Sequence, residues 1–293
     1  MEIVRAAVIA PAAARVNDFV ELAKPRITFL VVLTAAVGYA VGPGHFDAAV
    51  FFALVLGTAL LSGGASALNQ YREADTDALM DRTRNRPVPA GRIAPADART
   101  FGLVLCGFGA VLLAAANPLS AALGLAALGI YVLAYTPMKR RSSLCTVVGA
   151  VPGALPPMMG WAASRGTLDA GGWALFAVLF LWQLPHFLAI GWMYRDDYAR
   201  GGFPMLTVTD RDGSSTGRQM VLYSAALLPA TLFAGALCSS GRGYLWSALA
   251  LGLAFLGCSV RFALTKSRGA ARTLFLVSIL YLPILLGLMV FDR

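Results

Sequence analysis

The sequence predicts an all-α, multi-pass membrane protein with nine transmembrane helices around a central cavity, and three observations carry that expectation. Apolar residues make up 58% of the 293 and charged residues only 13%, about half the ~25% of a soluble domain, and mean hydropathy is +0.69. Apolar runs of bilayer length recur along the whole chain. Lysine and arginine collect in alternate connections between them. The same composition excludes disorder, collagen and a disulfide scaffold. The chain is too apolar, has no glycine period, and its four cysteines at 106, 145, 238 and 258 form no CxxC pair and read as core packing.

A hydrocarbon core ~30 Å thick is crossed by about 20 helical residues, with 17 to 25 tolerated. On that measure the spans run 27–43, 48–69, 100–116, 118–136, 144–163, 171–193, 219–238, 243–263 and 273–291. Helix is the realistic choice, because lipid cannot satisfy free backbone groups and no run alternates with the period of two that a barrel requires. Residues 1–26 include Glu2, Asp18 and Glu21 and lack the pattern of a cleavable signal. A cytoplasmic N-terminal segment 1–26 is therefore expected ahead of a single domain, 27–293.

The cations test this parse. Of the 24 lysines and arginines, all but Arg165, Arg242 and Arg293 fall on one side of it. Arg5, Arg15, Lys24 and Arg26 precede the first span, Arg72, Arg82, Arg84, Arg86, Arg92 and Arg99 follow the second, and the fourth, sixth and eighth connections hold the rest. That asymmetry places the N-terminus in the cytoplasm and the C-terminus on the opposite side of a bacterial inner membrane. With the positive residues so distributed, the net charge of +9 points to a lipid bilayer and an anionic substrate rather than to nucleic acid.

Gly42-Pro43-Gly44 and Asn117-Pro118 are short far-side turns. By contrast, the second connection (about 70–99) and the sixth (about 194–218) are long, charged and cytoplasmic, as functional loops tend to be. They lie four spans apart, the spacing an ancient duplication would leave.

The second span runs into Asn69, Glu73, Asp77 and Asp81, spaced by four, so that a helix presents them as one stripe. Like charges at that spacing oppose a helix and call for a cation. Mg²⁺ suits hard oxygens and is commonly held by one or two carboxylates plus substrate phosphates. Arg82, Arg84 and Arg86 follow at once and can serve phosphate oxygens. Metal beside arginine implies a pyrophosphate; the bland alternative is a solvated loop whose Glu and Arg pair with one another.

Tyr135 and Lys139, with Arg140 and Arg141, end the fourth span. They read either as an interfacial anchor or as a phosphate contact, with the tyrosine ring facing a developing allylic cation. The fifth span carries Gly149, Pro152, Gly153, Pro156 and Pro157, a composition that lines a cavity or allows close helix packing. The sixth holds Trp182-Gln183-Leu184-Pro185-His186-Phe187. Pro185 is expected to kink it. His186 is open to three readings: haem ligation, proton exchange, or a hydrogen bond to the kinked backbone. Beyond it, Tyr194-Arg195-Asp196-Asp197-Tyr198 supplies a second acidic pole opposite the first. His45, in an outside turn, is incidental.

Together these stretches resemble the UbiA-type intramembrane prenyltransferases and, within them, the protoheme IX farnesyltransferase (haem O synthase) family, over roughly 22–293. The resemblance rests on Asn69, Glu73 and Asp77, on Tyr135 and Lys139, on Asp81 to Pro87, on Gly160 to Ala163, and on the two stretches just quoted. It implies transfer of a farnesyl group from farnesyl diphosphate to a vinyl of haem B, with water added to give haem O and pyrophosphate released. It further implies Mg²⁺ on Asn69, Glu73, Asp77 and Asp81 and on Asp196 and Asp197. Diphosphate would be held by Arg82, Arg86, Lys139 and Arg140, and haem by His186, Trp182 and Tyr194. Catalytic roles would fall to Asn69, Glu73, Asp77, Tyr135, Lys139, His186 and Asp197, and the implied partners are haem-copper oxidase assembly factors or haem A synthase. There are two departures. Cys145 replaces an Asn frequent after the basic cluster, and Asp196-Asp197 lacks the Asp-x-x-x-Asp spacing of quinone-type relatives. A related enzyme acting on an aromatic acid or quinone precursor, or a transporter using the acidic stripe, are the alternatives.

Overall fold

The computed structural model describes residues 12–292. Arg5, Arg293 and the side chain of Arg15, counted above among the flanking cations, lie outside the described residues, as does Glu2. In chain order the helices are α1 (Ala12–Leu22), α2 (Pro25–Val41), α3 (Ala48–Asp77), α4 (Pro95–Ala116) and α5 (Pro118–Gly129). A π-helical stretch, Ile130–Tyr135, joins α5 to α6 (Thr136–Met138). Then come α7 (Cys145–Arg165), α8 (Ala170–Met193), short α9 (Arg195–Arg200) and α10 (Leu206–Thr209), α11 (Ser214–Leu237), α12 (Arg242–Thr265) and α13 (Arg268–Phe291). No strand occurs among the described residues.

Side-chain caps start the helices where the sequence offers them. Asp47, Asn117, Asp169 and Ser267 accept from the first backbone N–H groups of α3, α5, α8 and α13, satisfying donors that have no helical partner. Seven segments are long and apolar enough to cross a bilayer: α3, α4, the continuous Pro118–Met138 segment, α8, α11, α12 and α13. This is a membrane protein. The shorter α2, 17 residues, is apolar as well, and the proline-rich α7 packs between α2 and α8. Large apolar side chains such as Phe29, Phe52, Phe108, Leu133 and Trp246 are exposed on the outer faces, as a lipid solvent permits.

Helices in lipid gain from close backbone approach, and glycines provide it here. On the α3–α4 contact a Cβ on Gly109 would lie 2.7 Å from the Leu61 nitrogen and 2.8 Å from the Gly57 carbonyl oxygen. On the α2–α7 contact a Cβ on Gly160 would overlap the Ala35 carbonyl. Because the obstacle is backbone, side-chain repacking cannot relieve it. Gly160→Val is expected to separate α2 from α7 and to cost about 3 kcal/mol or more, read as a lowered thermal unfolding midpoint in detergent.

The boundaries differ from the sequence expectation in one informative way. α3 runs on to Asp77 and α4 begins at Pro95, so the second connection is 78–94 rather than about 70–99. Hydropathy ends a span at its first polar residue, whereas this helix continues because Asn69, Gln70, Glu73 and Asp77 are themselves buried. α8 continues through Pro185, the residue expected to kink it. The sixth connection does form structure of its own, as α9, α10 and the first turns of α11.

Candidate active site

The last turns of α3 place Asn69, Glu73 and Asp77 on one inward face, 2%, 6% and 1% exposed. Burying two carboxylates on successive turns requires cations, and the chain brings two. Lys139, just past α6, has its Nζ 2.8 Å from Glu73 Oε1 and donates to Oε2 at 3.0 Å. Arg86, in the 78–94 connection, donates to Asp77 Oδ2 at 2.6 Å. Asn69 Nδ2 donates to Thr136 Oγ1 at 3.1 Å, while that hydroxyl spends its own proton on the Tyr131 carbonyl at 2.8 Å. The amide orientation is thereby fixed, and Oδ1 remains as the acceptor for a ligand. Around the π-helical stretch Tyr131 and Tyr135 stack at 5.5 Å, with the Lys139 ammonium 4.6 Å from the Tyr135 ring centre.

The two long connections clasp over this group. Arg82 donates to Tyr198 Oη at 3.3 Å, and its guanidinium sits 5.5 Å and 5.6 Å from the Tyr194 and Tyr198 ring centres. Arg200 bonds both Asp81, at 2.6 Å, and Asp197. Below, Arg92 ties the 78–94 connection to α1 through Asp18 and Glu21, and also donates to the Asn85 carbonyl. These contacts enclose a cavity of about 230 Å³ whose polar lining includes Asn69, Glu73, Asp77, Arg82, Arg86 and Lys139. A second cavity of about 300 Å³ reaches deeper between the helices; Ile27, Tyr131, Tyr135 and Phe187 line both. Gly149, Pro152, Gly153 and Pro156 of α7 line the deeper part, the cavity-lining role their composition suggested.

Other residues singled out from the sequence are placed differently. Asp81 and Asp196 are exposed; Asp197 is buried but engaged by Arg200; Arg140 is exposed and outside the cavity lining. Among the described residues no group of three His, Cys, Asp or Glu is set to hold a metal, so the six-residue metal set is not assembled. The smaller set of Asn69, Glu73 and Asp77 does fit Mg²⁺, as hard oxygens on successive turns, provided a diphosphate supplies further ligands. His186 and Trp182 face α13 instead of the cavity. Trp182 Nε1 donates to the Ser278 carbonyl at 3.0 Å, His186 Nδ1 pairs with Ser278 Oγ at 2.6 Å, and the imidazole lies between the Trp182 and Phe275 rings. Tyr194 is beside Arg82, away from that pair, so the expected haem trio is not brought together. Cys145 packs its Sγ 3.4 Å from Met205 Sδ.

The structure adds residues that sequence reasoning passed over. Lys24, read only as a flanking charge, lines the cavity; burial first, then the charges of Arg86 and Lys139, pull its pKa down to about 7. Thr207 of α10 lines the same cavity with a buried Oγ1 that has no hydrogen-bond partner. The Lys24-Pro25 pair at a helix start was the available signal for the first; none marked the second.

The family model described as UbiA prenyltransferase family matches residues 31–282. The chain belongs to the UbiA prenyltransferase family. Among its relatives, a protoheme IX farnesyltransferase of Solibacter usitatus (strain Ellin6076) is 46% identical over 288 residues, 94% of this chain and 99% of that one. One of Myxococcus xanthus (strain DK1622) is 46% identical, covering 94% and 95%. Solved UbiA homologs share the fold. One from Aeropyrum pernix K1 has a TM-score of 0.74 at 17% identity, covering 91% of this chain and 97% of that one. Another, from Archaeoglobus fulgidus and bound to GPP and Mg²⁺, has 0.67 at 14%, covering 93% and 99%. As a UbiA family member, the chain is an intramembrane prenyltransferase.

Proposed function

We infer that this chain transfers a farnesyl group from farnesyl diphosphate to a vinyl group of haem B, giving haem O and pyrophosphate. The observation that carries the chemistry is the pair of buried carboxylate–cation contacts, Glu73 with Lys139 and Asp77 with Arg86, at the mouth of a deep apolar cavity. The acceptor is supported by the relatives at 46% identity, which carry the name protoheme IX farnesyltransferase.

Arg86, Lys139 and Lys24 supply positive charge where the diphosphate would lie, with Arg82 at the rim. Mg²⁺, when bound by Asn69, Glu73 and Asp77, adds further charge to offset the departing pyrophosphate. The allylic C1–O bond breaks, its electron pair leaving with pyrophosphate, and the vinyl carbon bonds to C1. The porphyrin-stabilised cation then takes the oxygen of water, which gives up one proton, for which the released pyrophosphate is the base at hand. Tyr131 and Tyr135 present ring faces to the allylic cation. The clasp of the two connections excludes water until the carbon–carbon bond has formed.

This reading uses nine crossings, with α2 and α7 added to the seven apolar segments. It sets residues 27–293 as the membrane domain in a bacterial inner membrane, with 1–26 and the clasped loops cytoplasmic and the C-terminus opposite. The product would pass to a haem A synthase or an oxidase assembly factor. Mass spectrometry of haem after incubating the purified protein with haem B and farnesyl diphosphate, with and without Mg²⁺, is the test. A mass gain equal to farnesyl plus hydroxyl is expected only with Mg²⁺. Prenylation of an aromatic acid or quinone precursor with none of haem would overturn the acceptor.

A further inference from the structure

The deeper cavity has a definite inner end. Thr58 and Leu61 of α3, Gly124 of α5 and Met159 of α7 line it. Leu61 and Met159 are 5% and 2% exposed and belong to the packed cluster that includes Leu54, Leu113 and Ala121. The Ser120 hydroxyl donates to the Met159 carbonyl at 2.6 Å, pinning α7 to α5 at this level. A methyl added to Gly124 would lie 2.8 Å from Leu113 Cδ1, 2.9 Å from Leu61 Cδ2 and 3.3 Å from Met159 Cε. Leu61, Leu113 and Met159 thus converge on Gly124 within one packed cluster.

Its depth can be measured along α3, which is continuous between the two places. Leu61 lies about 12 residues before Glu73, ~18 Å of helical rise. Three bonds of an extended chain advance ~3.5 Å, so the twelve-carbon main chain of a farnesyl group reaches ~14 Å, and a further isoprene unit adds ~5 Å. With the distal phosphate at Glu73, the four bonds to C1 add ~5 Å, so a farnesyl chain ends ~19 Å along, at Leu61 and short of Thr58 at ~22 Å, while a geranylgeranyl chain, ~24 Å, overruns both.

We propose that Leu61 and Met159 are the specificity-determining end-stop of the prenyl chamber, fitting a fifteen-carbon donor and excluding a twenty-carbon one. The proposal rests on the reading of the cavity as the prenyl-diphosphate site. Met159 suits the role, because its flexible thioether fills irregular space and its truncation opens room along the chamber axis.

The test is a competition of geranyl, farnesyl and geranylgeranyl diphosphates for haem B, with product masses read for the wild type, Met159→Ala, Leu61→Ala and Met159→Phe. One methylene in an apolar pocket discriminates by about 10- to 200-fold. Both alanine variants are thus expected to raise the twenty-to-fifteen-carbon product ratio at least about tenfold, and Met159→Phe to shift products toward ten carbons. Opposite shifts at one position cannot arise from misfolding. The same ordering is expected in the thermal stabilisation each diphosphate gives the protein without haem, which separates failure of the gauge from failure of the haem assignment. Unchanged ratios and unchanged donor ordering across the variants, or a wild type that takes the twenty-carbon donor as readily as farnesyl, would overturn the proposal.

Discussion

Asp77→Asn is expected to lower turnover by about 10²- to 10³-fold, the scale of losing one electrostatic contact to a leaving group. The substitution keeps the shape of the side chain but removes the charge that holds Arg86 at 2.6 Å and that would hold a divalent ion. Both consequences act on the departing pyrophosphate, so kcat should fall while the Mg²⁺ concentration needed for half-maximal rate rises. Steady-state assays across a Mg²⁺ series measure the two together. Turnover and Mg²⁺ response equal to wild type would remove Asp77 from the site. The folded state also loses a charge-assisted contact between side chains 2% and 21% exposed, a cost of about 1–3 kcal/mol, visible as a lower unfolding midpoint.

Lys139→Met is the second large effect, expected at about 10²-fold or more in turnover. Burial disfavours charge on this ammonium, but Glu73 and the neighbouring tyrosines more than offset it and hold its pKa above the ordinary 10.5. A group whose folded pKa is raised contributes its stability fully below the unfolded value and loses it as pH rises past the folded one. The Glu73–Lys139 contact is accordingly expected to be complete at neutral pH and lost only above 10.5. Wild type and Lys139→Met should differ in unfolding midpoint at neutral pH and converge as pH rises past the folded value, above 10.5. Lys139→Arg keeps the charge but not the compact ammonium geometry, so partial recovery of turnover is expected from it. A pH-independent difference persisting past the titration would mean that packing against Tyr135, and not charge, is what Lys139 supplies.

These two residues also mark how far the site was legible in the sequence. Asn69, Glu73 and Asp77 were visible because a four-residue spacing on a helix is a contact rule, and their need for compensating charge followed from electrostatics alone. The pairing of Glu73 with Lys139, 66 positions away, did not follow, because the four-residue spacing from Tyr135 marks Lys139 but says nothing of which carboxylate it meets, or that Arg140 beside it is exposed. Polarity inside a span left His186 open to haem ligation, proton exchange or a backbone hydrogen bond, and its partner is Ser278 on α13: a buried imidazole can satisfy its hydrogen bonding with a neighbouring helix as readily as with a ligand. Lys24 looked like one more flanking cation until α2 and α3 placed it against Arg86 and the acidic stripe.

Composition and hydropathy by themselves determined that the chain is helical and lives in a bilayer, because lipid leaves the backbone no other way to satisfy its polar groups. Four-residue spacing determined which carboxylates share a face. Only the tertiary structure decided where that face points, which cations meet it, and where the apolar chamber stops. Those depend on glycine-to-backbone contacts such as Gly160 against Ala35 and on the Arg200 bridge from Asp81 to Asp197, interactions between positions far apart in the chain that become neighbours only once the helices have packed.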